Sequence, residues 1–174
     1  MKYFISIFLS FICLNAFSQI KSDIIENGSR TIVTEAKNLY RGMSNATGFH
    51  LSYTCTDTDE LFAITLHINE GKKQIDVNRK LLLKFQDGTI LELANANKCE
   101  LNDFVYPMYL LSKEDIQKII RVQVIKIRIE TDFDFIDKTI KKNKMSEGMK
   151  ELYDSIVTQL SSSKEKTRDV YDNF

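Results

Sequence analysis

Alternation of apolar and polar residues with a period of two runs through three segments of this chain and constrains its fold more than any other feature. In GFHLSYTC, residues 48–55, Phe49 and Leu51 share one face while the residues between them are polar. LFAITLHI, residues 61–68, and VIKIRIETDFDF, residues 124–135, repeat the pattern. Such a period indicates strands with one buried face. For the third segment it predicts that Ile125, Ile127, Ile129, Phe133 and Phe135 point into the core.

A hairpin is indicated within RKLLLKFQDGTILEL, where Asp87-Gly88 separates two apolar runs. Two turn lengths fit the sequence. A three-residue QDG loop with positive φ at Gly88 pairs Leu83 with Leu91, whereas a two-residue loop sets Leu83 against Glu92. The three-residue loop is predicted because it keeps leucines on one face.

Two helices are predicted among the strands. Ser112, three residues before Asp115, resembles a capping box that opens a short helix near 113–120. The segment 29–40 fits a helix or a strand, and its β-branched start favours a strand. An amphipathic helix near 145–161 is indicated by apolar residues spaced three and four apart: Met145, Met149, Leu152, Ile156 and Leu160. The fold class is therefore α+β, a mainly antiparallel, sandwich-like domain.

The N-terminus has the proportions of a signal peptide. One lysine precedes an apolar run of about a dozen residues, too short to span a bilayer comfortably. Ala16 and Ser18 supply a small-x-small cleavage site, so residues 1–18 are predicted to be removed. Retention as an anchor is the alternative. Lipidation at Cys13 is disfavoured because bulky Ile12 precedes it.

The remaining residues, 19–174, are long enough for one globular domain, with a polar, frayed tail from about 162. Lysine and arginine number 24 and aspartate and glutamate 24, so no overall field recruits nucleic acid or an anionic membrane. No stable membrane span is expected after signal cleavage. Hydrophobic residues make up 43% of the chain, which argues against disorder.

Two cysteines lie beyond the leader, Cys55 and Cys99. An exported chain permits a disulfide between them. The alternative is an ordinary free thiol in the core, where cysteine is common. The sequence leaves both open.

The series RKLLLKFQDGTILEL, YPMYLLSKEDIQKI and VIKIRIET, followed by an amphipathic helix, resembles small secreted domains of unknown function from gut bacteria. The likeness covers residues 30 to 160. It implies an envelope location and supplies no catalytic residues.

The two histidines form the one constellation with metal-ligating chemistry. A tight turn at Thr58-Asp59 places His50 directly opposite His67, close enough for a divalent cation to bridge the rings. A wider turn slips the register by two and separates them. A metal site needs a third ligand, and the neighbouring serine and threonine are poor ones. Two solvent-facing histidines without a role are therefore the favoured interpretation, and no metal or other cofactor is predicted.

Two acidic segments and a tyrosine pair are further candidates for binding. TDTDE, residues 56–60, and ETDFD, residues 130–134, invite a calcium interpretation, but neither has the glycine that a sharp calcium loop uses. Solvated strand or turn residues are favoured for both. Tyr106 and Tyr109 suit a sugar platform less well than a strand edge or core rim.

The sequence has no glycine-rich phosphate loop, serine elbow, His-Glu-x-x-His or Cys-x-x-Cys motif. The expectation is therefore a secreted, non-catalytic binding or structural module for an unknown protein or glycan partner. One alternative is a small envelope hydrolase whose site residues come from separate strands. Another is an assembly subunit that docks through its C-terminal helix, which predicts an uncovered apolar stripe.

Overall fold

The computed structural model describes residues 19–41, 46–141 and 143–172, so the predicted signal peptide lies outside the described residues. Among them, eleven strands form two antiparallel sheets, accompanied by two helices. The predicted α+β class is confirmed. The elements are β1 (Ile20–Glu26), β2 (Ser29–Thr34), β3 (Lys37–Arg41), β4 (Ala46–Cys55), β5 (Glu60–Ile75), β6 (Lys80–Phe85), β7 (Ile90–Ala94), β8 (Cys99–Val105), β9 (Met108–Leu111), α1 (Lys113–Arg121), β10 (Val124–Glu130), β11 (Phe135–Thr139) and α2 (Lys144–Asp172).

The larger sheet, called here the large sheet, has the order β1-β2-β4-β5-β8, with β3 beside β4 and β9 beside β5. β2 and β3 confirm the strand interpretation of residues 29–40. β5 is the longest strand because it pairs successively with β4, β9 and β8. This strand therefore lies between β4 on one side and both β8 and β9 on the other.

The other sheet, called here the small sheet, has the order β11-β10-β6-β7. Its β6–β7 hairpin confirms the predicted three-residue loop. Leu83 lies opposite Leu91, the Phe85 N–H donates to the Thr89 carbonyl at 2.9 Å, and Gly88 has φ +86°. Only a residue without Cβ adopts that φ readily.

The helices begin where the sequence places them. The Ser112 hydroxyl accepts from the Asp115 N–H at 3.0 Å and the Asp115 carboxylate accepts from the Ser112 N–H at 3.0 Å, which confirms the capping box. α2 extends past the predicted end near 161. Gly148 lets α2 lie close to Phe49, since a Cβ on this glycine would stand 3.1 Å from the ring. Neither helix, over the described residues, is long and apolar enough to cross a membrane.

Both sheets and both helices contribute to one core. The apolar stripe of α2 packs into it, so the stripe residues from Met145 to Ile156 are covered and not free for a partner. That arrangement does not supply the uncovered stripe that docking through this helix requires. Side chains at most 1% exposed include Ile32, Phe49, Leu51, Ile64, Leu66, Leu81, Leu83, Phe85, Ile116, Ile119, Ile127, Ile129, Met145, Met149, Leu152 and Ile156.

The predicted inward face of residues 124–135 is partly wrong. Phe133 is 75% exposed and Phe135 is 55% exposed. The chain turns after β10, where the Thr131 N–H donates to the Asp134 carbonyl at 2.8 Å, and Ile136 becomes the buried residue of β11. At the start of β10 a bulge beside Ile125 leaves that side chain half-buried. Turn and bulge each shift the phase of the alternation.

Candidate functional site

The β4–β5 hairpin has the wider of the two turns that the sequence allows, two residues away from the register of the tight turn. Cys55 lies opposite Glu60, and a four-residue turn joins the strands, with the Thr56 N–H donating to the Asp59 carbonyl at 2.9 Å. His50 therefore lies opposite Thr65 and not opposite His67. The direct opposition of the two histidines that a tight turn would give is therefore absent.

The histidines nevertheless touch, as diagonal neighbours across the hairpin. His67 lies opposite Gly48, which has no side chain, and its ring meets His50 nearly at right angles. The distance from His50 Nδ1 to His67 Nε2 is 2.6 Å, a hydrogen bond in which one ring donates and the other accepts. The expectation that a wider turn separates the histidines is wrong, because diagonal side chains on one face remain within reach.

Both imidazoles are held neutral. Burial, followed by the neighbouring His67, lowers the pKa of His50 to about 4. Burial, followed by the Lys21 ammonium, also lowers the pKa of His67. The Tyr106 ring also meets His67 nearly at right angles, with ring centroids 5.1 Å apart. The pair is thus a closed polar contact on the outer face of the large sheet.

This geometry does not favour a cation between the rings. Two Zn–N bonds at a tetrahedral angle hold their nitrogens about 3.4 Å apart, wider than the 2.6 Å between His50 and His67. The Lys21 charge that lowers both pKa values also repels a cation. Within the described ranges, no group of three or more His, Cys, Asp or Glu side chains is placed to hold a metal ion.

The cysteines are unbonded and far apart in the sheet. Cys55 lies opposite Glu60 at one end of β5, and Cys99 lies opposite Ile75 at the other end. A disulfide requires Cα atoms within about 7 Å, so the Cys55–Cys99 candidate is not formed. Cys99 is a buried thiol, and burial raises its pKa.

The acidic segment 130–134 fastens the β10–β11 turn to β5 and its following loop. Asp132 accepts from Arg79 Nε at 2.8 Å, and Asp134 accepts from Lys73 Nζ at 2.8 Å. These hydrogen bonds lower the pKa of both carboxyl groups. These two carboxylates are therefore already paired with cationic side chains of the chain itself.

The acidic segment 56–60 is also engaged within the chain. Glu60 pairs with Lys113 at 2.6 Å, and the Thr58 hydroxyl donates to Asp59 at 2.7 Å. These contacts join the turn to α1 and order the turn itself. They agree with the structural interpretation favoured from sequence.

The two tyrosines do not form one platform. Tyr109 is fully buried, and its hydroxyl has no hydrogen-bond partner among the described residues, whereas Tyr106 is 49% exposed against His67. A sugar platform needs both rings on one accessible surface. Tyr109 is a core residue and Tyr106 lies exposed beside a strand, as the favoured interpretation expected.

A different surface has more cationic side chains than paired carboxylates. On the outer face of the small sheet, Leu82, Lys84, Ile90, Lys126 and Arg128 line a depression of about 190 Å³, called here the cationic face. Lys84 lies directly opposite Lys126 on one side and Ile90 on the other, while Leu82 lies opposite Arg128. Three cations thus surround a small apolar floor.

One carboxylate serves two of these three cations. Asp137 accepts from Arg128 Nε at 2.7 Å and Nη2 at 2.8 Å, and from Lys126 Nζ at 2.6 Å. These contacts, with Arg128 first, hold the pKa of Asp137 far below its usual range. Lys84 has no ion-pair partner within the described part of the chain. The face therefore keeps an excess of positive charge around the depression.

Arg128 is also fixed from below. Its guanidinium lies 4.1 Å from the centroid of the exposed Phe135 ring, within the range of a cation–π contact. Together with the bidentate bond to Asp137, this contact leaves Arg128 little freedom. Lys84, which makes no ion pair within the described part of the chain, is the adaptable charge of the cationic face.

A wider cleft, of about 440 Å³, lies where α1, α2 and the β6–β7 turn approach. Its charged lining residues are Arg121, Glu147 and Lys150, and Lys150 is paired with Asp154 at 2.5 Å. Opposite charges are mixed there and polar side chains predominate. No single ligand chemistry is indicated by this cleft.

The cationic face cannot be recognised from the amino-acid sequence alone. Its lysines stand in the polar phase of two strands, which by itself indicates only a solvated surface. Their opposition depends on the pairing of β6 with β10, which lie far apart in the chain and have α1 between them. The signal exists only once that pairing is known.

No protein family, curated protein or solved structure matches this chain. Its function is therefore argued from the arrangement of its own residues.

Proposed function

We propose that this chain is an exported, non-catalytic binding module whose working surface is the cationic face. The observation that carries the proposal is the direct opposition of Lys84 and Lys126 above an accessible apolar floor. Like charges directly opposite in a sheet are destabilising by roughly 0.2–1 kcal/mol. A bound anion would offset this repulsion, which is the reason that we assign to the pair.

Binding is better supported than catalysis by the distribution of titratable groups. The cationic face contains lysines and an arginine, and its neighbouring carboxylate Asp137 is fixed by two cations. The histidines, which are the side chains best suited to acid–base chemistry near neutral pH, lie on the other sheet and hydrogen-bond to each other. A hydrolase would need such groups around one bound substrate.

Export is the second part of the proposal. It is supported by the apolar leader and the small-x-small site at Ala16 and Ser18. A ligand outside the inner membrane would meet the cationic face through an anionic group. Intact mass of the protein from its native host tests this part, and a chain starting at Gln19 is expected. A full-length chain would contradict it.

Titration of the ¹⁵N-labelled protein with small anions and matched neutral compounds, followed by NMR, tests the binding surface. We expect chemical-shift changes at Lys84, Ile90 and Lys126, with every probe recovered unchanged. Shifts confined to another surface, or conversion of a probe into product, would contradict the proposed function.

A further inference from the structure

We infer that the depression of the cationic face binds one small aliphatic carboxylate, with its head group between Lys84 and Lys126 and its tail on Leu82 and Ile90. This inference rests on the proposed function and names its ligand class. It follows from the size, the charge and the apolar floor of the depression taken together.

The size of the depression limits the ligand. A volume of about 190 Å³ is roughly six times the ~30 Å³ that a water molecule occupies in the liquid. Sites for drug-sized ligands measure about 300–1,000 Å³. The depression therefore accommodates a molecule of about six to eight non-hydrogen atoms.

The cations and the floor together select an amphiphilic anion. Lys84 and Lys126 lie opposite each other and both line the depression, so a carboxylate bound there can accept from Lys84 and share Lys126 with Asp137. Leu82 is half-buried and Ile90 is 56% exposed, so a short hydrocarbon tail would cover apolar surface that now faces water. A bare anion leaves that surface open, and a neutral alcohol leaves the lysines unpaired.

The surroundings of the depression limit the number of charges on the ligand. Asp137 stands beside Lys126 and Arg128, and Glu92 pairs with Lys80 at 2.7 Å on the neighbouring row of the sheet. These carboxylates repel a second negative charge placed beyond the lysines. A single carboxylate therefore fits this face better than a polyanionic glycan or an acidic protein surface.

The test is an NMR titration of the exported protein with five probes. Hexanoate carries both features, acetate lacks the tail, and 1-hexanol lacks the charge. Glucuronate represents an acidic glycan, and N-acetylglutamate N-methylamide represents an acidic side chain of a protein. We expect hexanoate to bind at the cationic face with a millimolar Kd, and each other probe to bind at least about fivefold more weakly.

Variants locate the head group. Lys84→Gln keeps a similar shape without the charge and should weaken hexanoate at least about fivefold. Lys72→Gln removes an exposed lysine on β5, outside the cationic face, and should leave the Kd unchanged. Equal weakening by both substitutions would show a general charge effect and overturn the assigned site.

The outcomes separate this inference from the proposed function. If glucuronate or the glutamate derivative binds most tightly at the same residues, the ligand class is wrong and the binding module stands. Equal binding of hexanoate and 1-hexanol would overturn the role of the lysines. If none of the probes shifts Lys84, Ile90 or Lys126, both the inference and the proposed function fail.

Discussion

The outer faces of the two sheets differ in whether their polar side chains are hydrogen-bonded or ion-paired to neighbours on the same face. On the large sheet, His50 bonds to His67, the Thr31 hydroxyl lies 3.2 Å from the Thr54 hydroxyl, and similar contacts satisfy polar groups within the face. On the small sheet, Lys84 faces Lys126 and the available carboxylate is shared. The first face is closed by its own hydrogen bonds, whereas the second leaves charge available.

This difference separates a surface arrangement that stabilises the fold from one that does not. On the large sheet, hydrogen bonds between neighbouring side chains remove the free-energy cost of burying polar groups in part. An opposed lysine pair adds a cost that a single substitution would remove. Such locally destabilising arrangements of charge are expected at binding sites, where a bound ligand and not the fold accounts for them.

The largest expected effect comes from the turn glycines of the two sheets. Gly88 and Gly28 have φ of +86° and +76°, and a Cβ on either meets nothing within 4 Å, so backbone strain is the main penalty in both. Gly88→Val and Gly28→Val should each lower the free energy of unfolding by about 2 kcal/mol, measured by chemical denaturation.

Binding distinguishes these two variants. Gly88 ends the loop that joins β6 to β7, so its substitution should also weaken hexanoate binding at the cationic face. Gly28 lies in the turn between β1 and β2 of the large sheet, and its substitution should leave the Kd unchanged. Equal Kd values for both variants would break the proposed link between this turn and the binding surface.

An intermediate effect is expected from acid on the histidine pair. The folded protein holds the pKa of His50 at about 4, below the ordinary value of 6.5, so the unfolded chain binds this proton more readily. The stability is therefore complete above pH 6.5 and is lost as the pH falls towards 4. Because the ring is partly exposed to water, the expected loss is on the order of 1–2 kcal/mol.

Comparison of the wild type with His50→Gln separates the loss of stability caused by protonation of His50 from the loss caused by protonation of carboxylates. Urea unfolding at pH 7 and pH 4.5 should show a steeper loss in the wild type than in the variant. Hexanoate binding to His50→Gln at pH 7 should be unchanged, because the pair lies on the other sheet. Identical pH dependence of the two proteins would mean that His50 is not held neutral by the fold.

The smallest expected effect is a gain in stability. Lys84→Glu replaces the opposed lysines by an opposite-charge pair with Lys126, which should raise the free energy of unfolding by about 0.5 kcal/mol. The same substitution should abolish hexanoate binding. Lys72→Glu is the control, and a gain of equal size there would show that Lys84 does not bear a specific cost.

The two hairpins show how far local sequence predicts a register. In β6–β7, both the Asp87-Gly88 turn signal and the pairing of the flanking leucines predict a three-residue loop, and the structure has that loop. In β4–β5, the TDTDE turn has no glycine, and the strand alternation allows registers that differ by two. The four-residue turn was therefore not predicted, and the histidine geometry changed with it.

Buried and exposed faces were predictable where the alternation was unbroken. Phe49, Leu51 and Ile127 lie in the core as expected, because a period of two follows directly from the geometry of a strand. Phe133 and Phe135 are exposed because the turn at Thr131 and Asp134 shifts the phase. That turn is held by Arg79 and Lys73 from distant parts of the chain.

Four features have local causes and follow from the amino-acid sequence: the QDG loop, the Ser112 capping box, the strand alternation and the apolar stripe of the C-terminal helix. Each depends on residues that are near neighbours in the chain. Three contacts or separations follow from the folded structure alone: Lys84 lies opposite Lys126, His50 touches His67 diagonally, and the two cysteines lie far apart. These contacts depend on which strands pair and in which register, and both are set by burial of the whole core.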